Sequence, residues 1–331
     1  MNKDFFDSMD DSPAAIRDYL AEHEIAARKR WGQNFLVDAP ARALLIELLQ
    51  IEPGMRVWEV GPGLGAMTRG LLDAAAAVTA FEIDHGMVRH LRRRFAPEIG
   101  IPREEAGEQD AAGETRAGES GSELHAGRAP HAGRAPHAGL QLHIVEGDAA
   151  RKIPAAIEEW GKPEAILGNL PYNAAGAILW SALNRYDPVE RIVCTVQREV
   201  ADRMVAEPGS RDFGAFSLLC QLEHNARLVK NIPGGCFYPR PNVTSAIVVL
   251  ERIHDAAARP DRTQVLALAN RAFTQPRKTL SNNLRLLCTG SRSETDTRIR
   301  AAGIDPSRRP SSLSIEEMCS LTKAFSDRLD V

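Results

Sequence analysis

Glu59-Val60-Gly61-Pro62-Gly63-Leu64-Gly65 decides how the rest of the chain is read. It continues Arg56-Val57-Trp58-Glu59-Val60, an apolar run that predicts a buried strand, and it leads into 64–74, whose pattern predicts a helix. Glycines at such a strand-to-helix turn permit a tight bend and let a ligand come close to the backbone. No Gly-Lys-Ser/Thr follows, so the turn is not a phosphate-binding P-loop. Glu59 ahead of the turn and Pro62 between its first two glycines also depart from the dinucleotide fingerprint.

Outward from this turn, strands and helices alternate. Strands are predicted over 77–83, 142–147, 164–168 and 191–197, and helices over 12–23, 40–50, 86–95 and 174–184. Strands separated by helix-length segments imply right-handed βαβ units and a parallel sheet. Ala226 to Lys230 and Ser245 to Glu251 have no helix between them and read as an antiparallel pair at one sheet edge. From about Arg259 the pattern is helical only, over 261–274, 277–288, 294–302 and 314–329. The fold class is therefore α/β and Rossmann-like. Residues 1–253 are expected to form the main domain and 254–331 a small all-helical one.

Composition sets the class. Of 331 residues 44% are hydrophobic and 26% charged, ordinary for a globular protein. The five cysteines are scattered, with no Cys-x-x-Cys pair, which argues against a disulfide framework or a structural zinc site. The first fifteen residues are acidic and lack an apolar signal-peptide core, and no apolar run is long enough to span a bilayer. A cytoplasmic protein with no metal and no membrane partner is expected. The net charge of -3 is matched by residues 103–139, which hold seven acidic residues and four arginines. The remainder is about neutral, with basic clusters at Arg28-Lys29-Arg30, Arg277-Lys278 and Arg308-Arg309. Solvated surface and phosphate contact both fit these clusters.

Residues 100–140 follow neither pattern. His-Ala-Gly-Arg-Ala-Pro repeats there, and large apolar residues are almost absent. Such a stretch buries too little surface to offset its chain entropy and reads as a disordered, low-complexity insertion.

Two further elements follow the glycine turn in order. Phe81-Glu82-Ile83-Asp84 ends the next strand, where Glu82 suits both hydroxyls of a ribose. Gly147-Asp148-Ala149 ends the third, where a carboxylate or its neighbouring amides suit an adenine amino group. All three lie at carboxyl ends of neighbouring strands, where open α/β sheets bind ligands. The set fits S-adenosyl-L-methionine better than a nicotinamide. A fourth element, Gly168-Asn169-Leu170-Pro171-Tyr172, ends a strand with an amide, a proline and an aromatic ring, which suits a loop that holds something flat.

With these motifs placed, the chain resembles the ribosomal RNA adenine dimethyltransferases, and among them the bacterial enzymes that act on small-subunit (16S) RNA. The likeness runs through RKRWGQNFLVD, EVGPGLGAMT, FEID, GDA, GNLPYN, VQREVADRMVA, FYPRPNVTSAIVVL, FTQPRKTLSNNL and AAGIDPSRRPSSLSIEE. It implies a seven-stranded methyltransferase sheet with a small C-terminal helical domain. It places cofactor contacts on Asn34, Leu36, Gly61, Gly63, Glu82, Asp148 and Asn169. It sets the target base against Asn169, Leu170, Pro171 and Tyr172, with Phe237 as a second aromatic face. The implied reaction is dimethylation of the N6 amines of two adjacent adenosines near the 3′ end of 16S rRNA, late in small-subunit biogenesis, by a monomer.

Three departures from the family pattern stand out: the insertion, Ala174-Ala175-Gly176-Ala177 where relatives commonly carry Ser/Thr and a proline, and Pro276 at an often basic position. Competing readings are a large-subunit (23S) adenine dimethyltransferase of the macrolide-resistance kind, a non-catalytic ribosome-assembly factor and, more distantly, a small-molecule methyltransferase. Leu170, FTQPRKTLSNNL and the Gly-Ile-Asp-Pro ending favour the small-subunit reading.

Overall fold

The computed structural model describes residues 13–22, 33–74, 76–100, 141–184, 188–254 and 260–329. The repeat-rich stretch and Arg28-Lys29-Arg30 lie outside the described residues. In chain order the elements are α1 (Pro13–Glu22), β1 (Phe35–Leu36), α2 (Ala39–Leu49), β2 (Arg56–Val60), α3 (Ala66–Asp73), β3 (Ala77–Glu82) and α4 (His85–Arg94). Then come β4 (Leu142–Glu146), α5 (Ala149–Trp160), β5 (Ala165–Asn169), α6 (Ala175–Leu183), β6 (Arg191–Gln197), α7 (Arg198–Met204) and α8 (Ala215–Gln221). The remainder is β7 (His224–Ile232), β8 (Phe237–Tyr238), β9 (Ser245–Arg252), α9 (Arg262–Ala272), α10 (Leu280–Leu284), α11 (Arg292–Ala301) and α12 (Ile315–Ala324).

Seven strands form one sheet in the order β4-β3-β2-β5-β6-β9-β7, and β1 pairs with β8 in a separate two-residue ribbon. Strands β2, β3, β4 and β5 pair in parallel, whereas β9 is antiparallel to both β6 and β7. The chain runs outward from β2 to β4 and returns to β5 on the other side of β2. That reversal is the switch point at which α/β sheets bind ligands.

By internal packing the chain divides into two compact units, Met1–Pro171 with Gly235–Arg240, and Tyr172–Gly234 with Pro241–Val331. The first unit buries the apolar runs that predicted its strands: Val57, Trp58, Val60, Val78, Phe81, Ile166 and Leu167 are all nearly inaccessible. Helix starts follow their caps. Asp38, Asp84 and Asp148 each accept a backbone N–H from the first turn of the helix they precede.

In the second unit α6 begins at Ala175 without a side-chain cap, because Ala174 has no oxygen to offer. A missing cap of this kind costs about 1 kcal/mol, and the apolar face of Ile178, Leu179, Ala182 and Leu183 outweighs it by burial. The helix predicted over 277–288 is shorter. Thr279 accepts the Asn282 N–H as an N-cap, and the Asn283 side chain holds the preceding loop through the backbone of Gln275. Helices α7 and α8 were missing from the sequence-based expectation, being only seven residues each. Near the end, Ser314 and Glu317 form a reciprocal capping box, and the Arg308 guanidinium grips Glu317 and the Ser312 carbonyl.

Candidate active site

The glycine turn carries its expected backbone geometry. Gly63 adopts φ +57, and a Cβ there would lie 3.0 Å from the Phe35 ring. The position thus favours glycine for its conformation, and a side chain there would also press on the Phe35 ring. Phe35, Leu36, Gly61, Gly63, Met67 and Asn169 line a pocket at this point, with Ile16 of α1 also in its wall. Ile16 and Leu20 are buried against Leu64 and Met87, so α1 covers the apolar side of the turn.

Glu82 is buried at the end of β3. Its Oε2 accepts the Gly63 N–H at 3.2 Å and its Oε1 accepts the Asp84 N–H at 2.9 Å. Burial raises its carboxyl to about 7, although these backbone bonds pull the other way. Beside it sits an acid to which sequence reasoning gave no role. Glu59 is fully buried and accepts the Thr68 hydroxyl at 2.6 Å. Burial also lifts it to about 7, and the nearby Glu82 charge adds to that rise. The Glu59 Oε1 atom has no hydrogen-bond partner among the described residues. A charged residue inside a run as apolar as Arg56–Val60 was the available signal.

Asp148 lies one strand over. Gly147 donates its N–H to the Glu82 carbonyl at 2.7 Å, which sets the Gly147-Asp148 turn beside the buried acid. The Asp148 carboxylate caps α5 through Ala150 and keeps a partly open face.

At the end of β5, Gly168 has no room for a side chain: an added Cβ would meet Leu170 Cδ2 at 2.4 Å and the Val60 carbonyl at 3.2 Å. Leu170 folds back into that space and is buried. The next contact fixes Asn169. Its Nδ2 donates to the Asn34 backbone carbonyl at 2.6 Å. A carbonyl only accepts, so the amide cannot be flipped, and the Asn169 side-chain oxygen remains an acceptor.

Asn34 itself is held by a connected segment. Phe35 and Leu36 pair with Tyr238 and Phe237, the Val37 N–H donates to the Cys236 carbonyl, and Arg42 donates to the Leu36 carbonyl. Phe237 is 3% exposed, so its ring is packed inside the first unit and not offered to solvent. Tyr172, which opens the second unit, is half-buried, and its hydroxyl is bonded to Ser245.

Of the residues read from sequence, Leu36, Gly61, Gly63 and Asn169 share one pocket, and Glu82 bonds to its turn. Asn34 acts through its backbone. The donor set suits an adenosyl sulfonium compound: apolar walls, a carboxylate with lone pairs left for ribose hydroxyls, and a second carboxylate for an amino group.

Comparison with known proteins agrees with this geometry. The profile of the family "Ribosomal RNA adenine dimethylase" matches residues 25–109 and 135–327, passing over most of the low-complexity stretch and leaving α1 outside. A Treponema denticola protein named ribosomal RNA small subunit methyltransferase A is 32% identical over 97% of this chain and 98% of its own. A dimethyladenosine transferase from Plasmodium falciparum shares the fold with a TM-score of 0.65 at 19% identity, over 89% of this chain and 98% of that one. The 23S rRNA methyltransferase ErmE does so with a TM-score of 0.57 at 21% identity, over 88% and 100%. Motifs, seven-stranded sheet, pocket and near full-length match together show that the chain belongs to the ribosomal RNA adenine dimethylase family.

Proposed function

We propose that this protein dimethylates the N6 amines of two adjacent adenosines near the 3′ end of 16S rRNA, within the small ribosomal subunit or its precursor. The observation that carries the reading is the near full-length likeness to proteins named for the small subunit, combined with an Asn169 amide whose oxygen is held as an acceptor. The fold alone does not choose the substrate, since ErmE shares it.

S-adenosyl-L-methionine, when bound, supplies the electrophilic methyl group. Gly61, Gly63, Leu36 and the Asn34 segment would hold it, with Glu82 on the ribose and Asp148 on the adenine. The chain's own residues then act on the acceptor amine. An adenine amine is a weak nucleophile because its lone pair is delocalised into the ring. The Asn169 side-chain oxygen and the Leu170 backbone carbonyl accept its two hydrogens and favour a tetrahedral nitrogen. No strong base is needed, since the proton leaves only as the new bond forms. Pro171 stiffens the turn, and Tyr172 stacks on a base taken out of its helix or presented single-stranded. Orientation of this kind is worth about 7–11 kcal/mol in favourable cases. Phe237, being buried, supports the Leu36 ribbon in this reading more than it stacks.

Labelled methyl transfer to purified small subunits, followed by nucleoside analysis, is expected to yield dimethyladenosine, and primer extension should stop at two adjacent adenines. Label appearing only on large subunits would overturn the reading.

A further inference from the structure

The Tyr172 hydroxyl lies 2.5 Å from the Ser245 hydroxyl, and Ser245 is wholly buried as the first residue of β9. Its backbone is fixed on both sides, by Gln197 of β6 and Ile232 of β7. Just before it, the Thr244 carbonyl accepts the Arg198 N–H, which pins the entry to the strand. A tyrosine ring turns about two bonds, and its hydroxyl lies on the axis of the second, so a hydrogen bond there restrains the swing about the first and fixes the ring's long axis. Here the anchoring hydroxyl sits on a strand with ladder partners on both edges, the most rigid support a sheet provides. The tyrosine is only partly buried while its tip is held.

We propose that Ser245 is a positioning residue that fixes the long axis of the Tyr172 ring against swinging, and that this matters most for the second methyl transfer. The inference rests on the reading of Tyr172 as the base-stacking residue. An unmodified adenine amine has two hydrogens for two acceptors. After one transfer the amine keeps a single hydrogen, so one of the contacts at Asn169 and Leu170 is lost. Orientation of the monomethylated base therefore depends more on stacking, and hence on a ring that does not swing.

The test measures mono- and dimethyladenosine on purified small subunits with the full-length protein, alongside cofactor affinity and thermal unfolding. Ser245→Ala and Tyr172→Phe each remove the same hydrogen bond from opposite ends. Both are expected to raise the ratio of mono- to dimethyladenosine by roughly fivefold, the scale of one hydrogen bond, with cofactor affinity unchanged. Ser245→Thr should restore the wild-type ratio, and the double variant should be no worse than either single one. If Ser245→Ala does not fold, Tyr172→Phe still decides the matter, since it leaves the strand intact. A wild-type product ratio in Tyr172→Phe, together with strong loss in Tyr172→Ala, would overturn the role of Ser245 and leave the stacking role standing. Wild-type rate and ratio in Tyr172→Ala would overturn the stacking role itself.

Discussion

Asn169→Ala is expected to lower single-turnover methyl transfer to small subunits by about 10²–10³-fold at saturating cofactor, the cost of removing one preorganised polar contact to a transition state. Asn169→Asp is the more searching variant. It keeps an acceptor oxygen but loses the Nδ2 donor, and it sets a carboxylate against the Asn34 carbonyl that Nδ2 now touches at 2.6 Å. Two acceptors facing each other repel, so the side chain must turn away or take up a proton. Asn169→Asp should therefore be nearly as inactive as Asn169→Ala. Activity within tenfold of wild type in Asn169→Asp would show that the Asn34 contact does not orient the amide.

Glu82→Gln is expected to weaken cofactor binding by about 10²-fold, in line with the ~1.5–3 kcal/mol carried by hydrogen bonds to a charged group. Calorimetric titration across pH checks both its size and its cause. In the unfolded chain this carboxyl titrates near 4.5, whereas in the fold it keeps its proton until about 7. Folding stability thus declines as pH rises from about 4.5 to about 7 and levels off above. Binding runs the other way. Ribose hydroxyls that donate to the carboxylate favour its ionised form, so affinity should fall as pH drops below about 7. In Glu82→Gln that pH dependence of binding should largely vanish. The stability slope should shrink but persist, because Glu59 is also lifted to about 7. A wild-type pH profile of binding in Glu82→Gln would place the titrating group elsewhere.

The parts of the site that sequence made legible are those fixed by position along one strand. Gly61, Gly63, Glu82 and Asp148 lie at or just beyond strand ends, and once the strands are placed the parallel order puts them at neighbouring corners. Contacts between residues far apart in sequence were not legible. Nothing local in Asn34 shows that its carbonyl orients Asn169, and nothing in Ser245 shows that it meets Tyr172. Glu59 stood in plain view before the glycine turn, yet its pairing with Thr68 depends on how α3 packs over β2. The two-residue strands β1 and β8 are too short for any hydrophobic period. Helix ends in the last third were also missed by a few residues, because caps such as Thr279 override apolar spacing.

The ribbon of Phe35–Leu36 with Tyr238–Phe237 has a consequence for how the protein comes into being. It joins segments about 200 residues apart in the chain, a closure that local contacts do not assist. Asn34, whose carbonyl orients the amide, immediately precedes that ribbon. A nascent chain that has made the glycine turn and β5 already holds Gly61, Glu82 and Asn169, but its Leu36 strand has no partner until Phe237 has been synthesised. Ordering of the Asn34 segment is thereby tied to synthesis of Phe237 and Tyr238, and a translation product interrupted before them is left without the ribbon.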